Sequence, residues 1–280
     1  MPGRWMAAGI VVFWLAMMGW LTVRELVPYF DLAAEPNLAE TLAASARDGP
    51  VDWRVSQNGE DIGTATTQVL IHTVNYELFQ EVRLNRFIAD TKLTVTSRAM
   101  VNLFGDVQRI IMRAEVPEWK FDLALDGQPK GNELHVKVSL RLLGEEFRND
   151  YRFQYAARDI FLSSLCPADR MPGLWPGKAW EARIVNPLDL KANPLDRHAG
   201  AAPGRLLEQE TILVQVEKEP EVLLWEGKQV PCYVVVTRHP DMTVRIWVQR
   251  DGDNLVLKQT AAWGSYRFEI VRLPRRPDAE

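Results

Sequence analysis

In a series of runs between Val51 and Leu273 apolar residues recur at every second position, and this period of two restricts those runs to antiparallel sheet wetted on one face. In VDWRVSQNGEDIGTATTQVL, Trp53 and Val55 alternate with polar neighbours on the way to Asn58-Gly59. That dipeptide is the strongest short-range hairpin signal, because both residues accept positive φ. Tyr76, Leu78, Val82 and Leu84 share a face in NYELFQEVRLNRF, as do Leu93, Val95, Ala99 and Val101 in TKLTVTSRAMV. A second hairpin is predicted in WKFDLALDGQPKGNELHVKVSL. It sets Trp119, Phe121, Leu123 and Leu125 against Leu134, Val136, Val138 and Leu140 across a DGQPKG turn. Further strands follow in ETILVQVEK, in EVLLWEGKQVPCYVVVTR around Glu226-Gly227, in MTVRIWVQRDGDNLVLKQTAAW around Asp251-Gly252, and in SYRFEIVRL. About a dozen strands are too many for one flat sheet without curling or splitting. The expected fold class is therefore mainly β: a large, curved antiparallel sheet, half-open and barrel-like, or a sandwich, with one or two short helices. Gly63 is expected to permit the bulge or bend that starts the curvature.

The other strong constraint lies at the N-terminus. WMAAGIVVFWLAMMGWLTV, residues 5–23, carries no charge. At 1.5 Å per residue it reaches about 28 Å, close to the hydrocarbon thickness of a bilayer. Trp5 and Trp20 stand near its ends, where indoles suit the headgroup level. Arg4 and the free amine precede it, whereas Arg24 is offset at once by Glu25, so the charge bias sets the N-terminus in the cytoplasm and the remainder outside. A cleavable signal peptide is the alternative, although its apolar core is usually about 7–15 residues. The expected location is the inner (cytoplasmic) membrane, in a single pass, with the lipid bilayer a partner through residues 5–23.

The expected organisation is an anchor over 1–30, a linker over 31–50, one extracytoplasmic domain over 51–273 and a frayed tail over 274–280. Within the linker, Leu38, Leu42 and Ala46 recur at helical spacing, Asn37 is placed to cap, and Gly49-Pro50 ends the run, so it reads as a short helix or a spacer. Arg158–Trp180 interrupts the strands with prolines and glycines, and its Leu174, Trp175 and Trp180 are placed to cap an open end of the sheet. Residues 186–204 read as a long loop.

Reactive chemistry is hard to find. A net charge of −4 gives no basic field for nucleic acid. Cys166 and Cys232 are the only cysteines, placed to pair in an oxidising compartment or to sit as two buried thiols. A thiolate-imidazole pair of Cys232 with His239 and Asp241 fails on reach, since seven positions along one strand cover about 23 Å. His72, His135, His198 and His239 show no metal-ligand spacing, and phosphate-loop and Gly-x-Ser-x-Gly patterns are absent. No cofactor, metal or catalytic residue is expected.

The order WRVSQNGEDIGTATTQV, PGLWPGKAW, LLWEGKQVPCYVVV, WVQRDGDNLVLKQ resembles the β domain that precedes the catalytic domain in bacterial transglutaminase-like proteins. It is similar also to lipoprotein-carrier-like periplasmic proteins. Gly59, Ile62 and Gly63 match an opening G-x-x-I-G hairpin. Trp247, Asp251, Gly252 and Leu255 match a late W-x-x-x-D-G-x-x-L hairpin with Asn254 as an extra residue. The resemblance implies a curved sheet and a non-catalytic β module that interacts with another envelope protein, a transglutaminase-like enzyme being one such partner. The alternative it leaves open is a lipid or lipoprotein carrier, in which Trp53, Trp119, Trp175, Trp180 and Trp225 line an apolar groove for an acyl chain. A filled core with a free edge strand favours the first reading, a continuous apolar cavity the second.

Overall fold

The computed structural model of the chain describes residues 38–47, 49–86, 90–154, 168–184, 206–207, 210–239 and 242–274, together with Met17. The expected membrane span, Asn37, Cys166 and the loop at 186–204 lie outside these residues. Among the described residues no helix is long and apolar enough to cross a membrane.

The first half is an antiparallel meander. Its strands are β1 (Val51–Gln57), β2 (Glu60–Ile71), β3 (Asn75–Leu84), β4 (Leu93–Asn102), β5 (Val107–Val116), β6 (Phe121–Lys130), β7 (Glu133–Leu142) and β8 (Glu145–Gln154), each paired with the next. The second half holds β9 (Ala179–Ile184), β10 (Leu206–Leu207), β11 (Glu210–Val216), β12 (Glu221–Trp225), β13 (Lys228–His239), β14 (Met242–Gln249), β15 (Val256–Trp263) and β16 (Tyr266–Arg272). All sixteen belong to one sheet, ordered β10-β8-β7-β6-β5-β4-β3-β2-β1-β16-β15-β14-β13-β11-β9, with β12 on β13. The first and last strands therefore pair in its middle, Trp53 opposite Arg272 and Gln57 opposite Phe268.

The sheet is not closed by hydrogen bonds. Yet Leu207 lies beside Phe153 of β8, while Glu210 lies beside Ile184 of β9. Three Cα steps separate Leu207 from Glu210, at most about 11 Å. Strand β10 therefore lies within about 11 Å of β11, the strand next to the β9 margin, so the sheet is strongly curved without being closed.

The opening hairpin forms as its sequence dictates. Asn58 and Gly59 take φ of 50° and 89°. The Asn58 main-chain N–H donates to the Arg267 carbonyl and its side-chain oxygen accepts from the Arg267 N–H, so the turn also fixes β16. Register slips between Val55 and Ser56, where Ile62 is the extra residue opposite β1, and Gly63 sits in this bulge. A Cβ on Gly63 would lie 2.0 Å from the Arg83 carbonyl oxygen, so the bulge requires glycine for close approach to β3.

Inward side chains of both halves meet in one core, with Trp53, Val55, Val82, Leu84, Val214, Val235, Val248 and Ile270 almost wholly buried. Two non-strand segments close the same end. Helix α1 (Leu38–Ser45) lays Leu42 on Val69, Val101, Val107 and Leu134, with Leu38 and Ala46 beside it, the spacing its sequence shows. Residues 168–178 insert Met171 and Leu174 into the main core. Asp169 and Arg272, both buried, hydrogen-bond side chain to side chain and tie this segment to the end of β16. Arg170 bonds the Asp253 carbonyl at 3.0 Å on the facing turn.

Several expectations are corrected. Among the described residues there is one hydrogen-bonded sheet and no second one packed on it, with sixteen strands where about a dozen were read. The DGQPKG stretch is not the turn: β6 continues to Lys130, and only Gly131-Asn132 reverses the chain. Pro129 is tolerated there because the pairing of β5 with β6 ends at Gly127, leaving its missing N–H without a ladder partner. Trp119 does not belong to β6, since Pro117 opens a 3-10 turn over Pro117–Trp119 and Lys120 closes it at φ 48°.

Replacing Gly63 by alanine is expected to cost on the order of 3 kcal/mol in chemical denaturation, because backbone must shift on both strands. Gly59→Ala, with open space around it, loses only about 1 kcal/mol from its positive φ. Asp169→Ala leaves the Arg272 guanidinium buried without its carboxylate and is expected to cost about 3–5 kcal/mol. The double variant Asp169→Leu with Arg272→Met should recover most of that loss.

Candidate interaction surface

The long strand β13 is shared along one margin. Its later half pairs with β11 (Leu213 opposite Arg238) and its earlier half with β12 (Leu223 opposite Val230). The β12–β13 hairpin forms an arm whose Leu223, Trp225 and Val230 pack on Cys232, Val234, Val236, Trp247 and Leu257, a separate apolar cluster on the convex face. Trp225 reaches the last strand, its indole N–H donating to the Arg272 carbonyl at 3.3 Å.

The root of the arm is pinned by charge. Glu221 accepts from the Trp247 indole N–H at 2.8 Å and from Arg245 at 2.6 Å, and Arg245 also bonds Glu217. The Arg245 guanidinium and the Lys258 ammonium lie 5.1 and 5.4 Å from the centre of the Trp247 ring. Burial alone would raise the Glu221 carboxyl, but hydrogen bonds from Trp247 and Arg245 and the Arg245 charge outweigh it and hold the group below its ordinary value.

The far side of the arm has no strand beside it among the described residues. Glu226 and Gly227 both take positive φ in a two-residue turn, which makes Trp225 and Lys228 the hydrogen-bonded pair. The main-chain N–H and C=O groups of Val222 and Leu224 consequently point away from β13. Their side chains are 65% and 72% exposed. Neither residue stood out in the sequence, where EVLLW reads as an ordinary strand.

The five tryptophans expected to line a groove are dispersed. Trp53 and Trp180 are buried in the main core, and Trp225 seals the convex cluster. Trp119 is exposed on its 3-10 turn at the opposite end from α1. Trp175 is half exposed and lies 4.5 Å from the Lys178 ammonium, which is 5.5 Å from Trp180 and donates to the Gly173 carbonyl at 2.9 Å. Burial lowers the Lys178 pKa. A shallow cavity of about 280 Å³ is lined by charged residues of β6–β8, among them Asp126, Lys130, Lys137, Asp150 and Arg152. Beside it Arg109 forms a two-pronged pair with Asp126, at 3.0 and 2.7 Å, and holds that carboxyl below the usual range.

No group of three or more His, Cys, Asp or Glu side chains among the described residues could hold a metal ion. His135 stands beside Glu133 at 3.2 Å on the wetted face of β7, as its alternation indicates. Cys232 and His239 occupy one strand, seven positions apart.

No family model matches the chain, and no curated protein matches it. Among solved structures it is similar to a β-barrel-like protein of the domain of unknown function DUF1849 from Brucella abortus. The identity is 8% over 80% of this chain and 94% of that one, with a TM-score of 0.43.

Cys232 is fully buried under the arm, and burial pushes its thiol up to about 11. In a Cys166→Ser chain, a thiol-alkylating reagent at about pH 8 is expected to spare Cys232 in the fold and label it rapidly in denaturant. The protonated thiol contributes its full stability below the unfolded pKa of about 8.5 and loses it as pH climbs through the folded value. Denaturation midpoints should fall over that window, and the part due to this thiol should vanish in Cys232→Ala.

Proposed function

We propose that the chain is a non-catalytic β module, held at the membrane by residues 5–23 with its domain outside the cytoplasm, that binds an extended segment of another envelope protein along β12. The single observation that carries this reading is the outer margin of β12, which has no strand beside it among the described residues and leaves Val222 and Leu224 exposed. Unpaired main-chain donors and acceptors beside apolar side chains are satisfied together by an added peptide strand and not by an acyl chain. The inward face supports the same reading. Around β1, β2 and β13–β16 it is packed with core side chains, and the cavity on β6–β8 is lined mostly by charged and polar residues. The resemblance to β domains set before transglutaminase-like catalytic domains makes such an enzyme one candidate partner.

The test places a photo-crosslinking amino acid at Leu224 in the full chain, expressed in its own envelope. One protein adduct, absent when the crosslinker stands at the equally exposed Leu143, is the expected result. Val222→Pro should cut the adduct several-fold, because it removes an outward donor while sparing the pairing of β12 with β13. Its stability should change by about 1 kcal/mol or less. Adducts equal at both positions would overturn the reading, and a stoichiometric lipid co-purifying with the domain would replace it with the carrier.

A further inference from the structure

The β2–β3 turn and the β4–β5 turn lie side by side, since Asn75 and Asn102 are direct partners across β3 and β4. Their tips read IHTVN and NLFG, with no Asp, Glu, Lys or Arg between them. Ile71 and Val74 on one, and Leu103 and Phe104 on the other, are exposed, Phe104 at 83%. This exposure is built. The Asn102 side-chain oxygen accepts the N–H groups of Phe104 and Asp106 at 2.9 and 2.8 Å, and its amide donates to the Asp106 carboxylate at 2.9 Å. The turn is thereby fixed with its one neighbouring acid bonded back and its phenyl ring outward. His72 is likewise engaged, 3.0 Å from Glu77.

The first described element enters at the same end. Leu42 of α1 packs on Val69, Val101 and Val107, with Tyr76 and Leu78 beside them, and these are the strand ends that lead into the two tips. Residues 24–37 join this helix to the uncharged run 5–23 and reach at most about 50 Å. That length admits either end of the barrel. The entry of α1 and the apolar tips select this one, whereas the convex face of β5 and β6 is laced with ion pairs such as Arg109–Asp126 and Arg113–Asp122.

We infer that these two turns rest in the headgroup region of the bilayer that residues 5–23 enter, with Phe104 and Val74 dipping among the acyl chains. The inference rests on the anchored part of the function proposed above. Four exposed, uncharged apolar side chains, uncovered among the described residues, are the chemistry of a lipid surface. The anchor supplies the proximity, so each tip needs only modest affinity of its own.

The test uses the full Cys166→Ser chain in vesicles of phosphatidylethanolamine with a minor share of phosphatidylglycerol. A nitroxide is attached at Phe104→Cys, at Val74→Cys and, at the opposite end, at Leu143→Cys. All three positions are exposed, so the label does not disturb the core. Collisions with a water-soluble nickel chelate and with oxygen report depth. The expected result is several-fold protection from nickel, with enhanced oxygen access, at 104 and 74 but not at 143. With no other protein present, such protection comes from lipid. Equal nickel access at all three sites in a chain that sediments with the vesicles overturns this inference alone. A chain that fails to sediment with them overturns the anchor, and the inference with it.

Discussion

The pairing of β1 with β16 holds the rest together. Strand β1 stands near the middle of the sheet order, so the meander β2–β8 grows from one of its edges and β16–β13 from the other. Bringing together strands more than two hundred residues apart carries a loop-closure cost that local hairpins avoid. The contacts at the joint are correspondingly dense. Trp53 is fully buried, Arg272 lies 5.7 Å from the centre of its ring, and Asp169 meets the same guanidinium from the inserted segment. Asn58 registers the far end of the joint through its turn, and the bulge at Gly63 tilts β2 away so the sheet begins to curl where the two halves meet.

A curled sheet leaves two open ends, and apolar inward faces cannot stay wet. One end is closed by α1 and residues 168–178, which are held differently. The helix packs through apolar contact, Leu42 over Val69 and Val101. The inserted segment relies on directional bonds: Asp169 to Arg272, Arg170 to the Asp253 carbonyl, and the Met171 N–H to the Asn254 carbonyl at 3.0 Å. A buried ion pair adds little net stability but penalises any other position of the segment, because a slip would strand a charge. It specifies where the plug sits.

Much of this was legible in the sequence. Asn58-Gly59, the inward Trp53 and Val55, the bulge at Gly63, the helical spacing of Leu38 and Leu42, and the capping Leu174 all follow from local rules, whereas Trp180 belongs to β9 and Trp175 is half exposed. Strands β5, β8, β9 and β10 were missed, the last two for their shortness beside Pro- and Gly-rich stretches and the first two for a blurred period. Ile110, Ile111 and Met112 run together and blur the period of β5, and Asn149 occupies an inward position of β8 opposite Val138. Alternation reveals which residues share a face, but not which face is covered. The convex cluster around Cys232 and Trp247 exists because the arm folds over it, and nothing local announces that. The same limit dispersed the tryptophans: Trp53 and Trp225 belong to strands with equal periodicity and lie on opposite faces.

With the centre of its inward face occupied, this fold offers its margins and turns for recognition. The Glu226-Gly227 turn of the arm lies at the same end as the β2–β3 and β4–β5 turns, because antiparallel order alternates the ends and β13 begins there. If that end rests on lipid, the tip of the arm stands close to the membrane surface, and a segment paired with β12 would run from that surface toward the other end of the sheet. Glu221 then acquires a positional role. By fixing Trp247 and Arg245 at the root of the arm it sets the angle of the free margin, and with it the direction in which an added strand must run. Anchor, apolar turns and pinned arm thus constrain one another. On the function proposed above, the membrane would orient the sheet, the sheet would orient the arm, and the arm would offer its outward backbone groups to a partner held at the same surface.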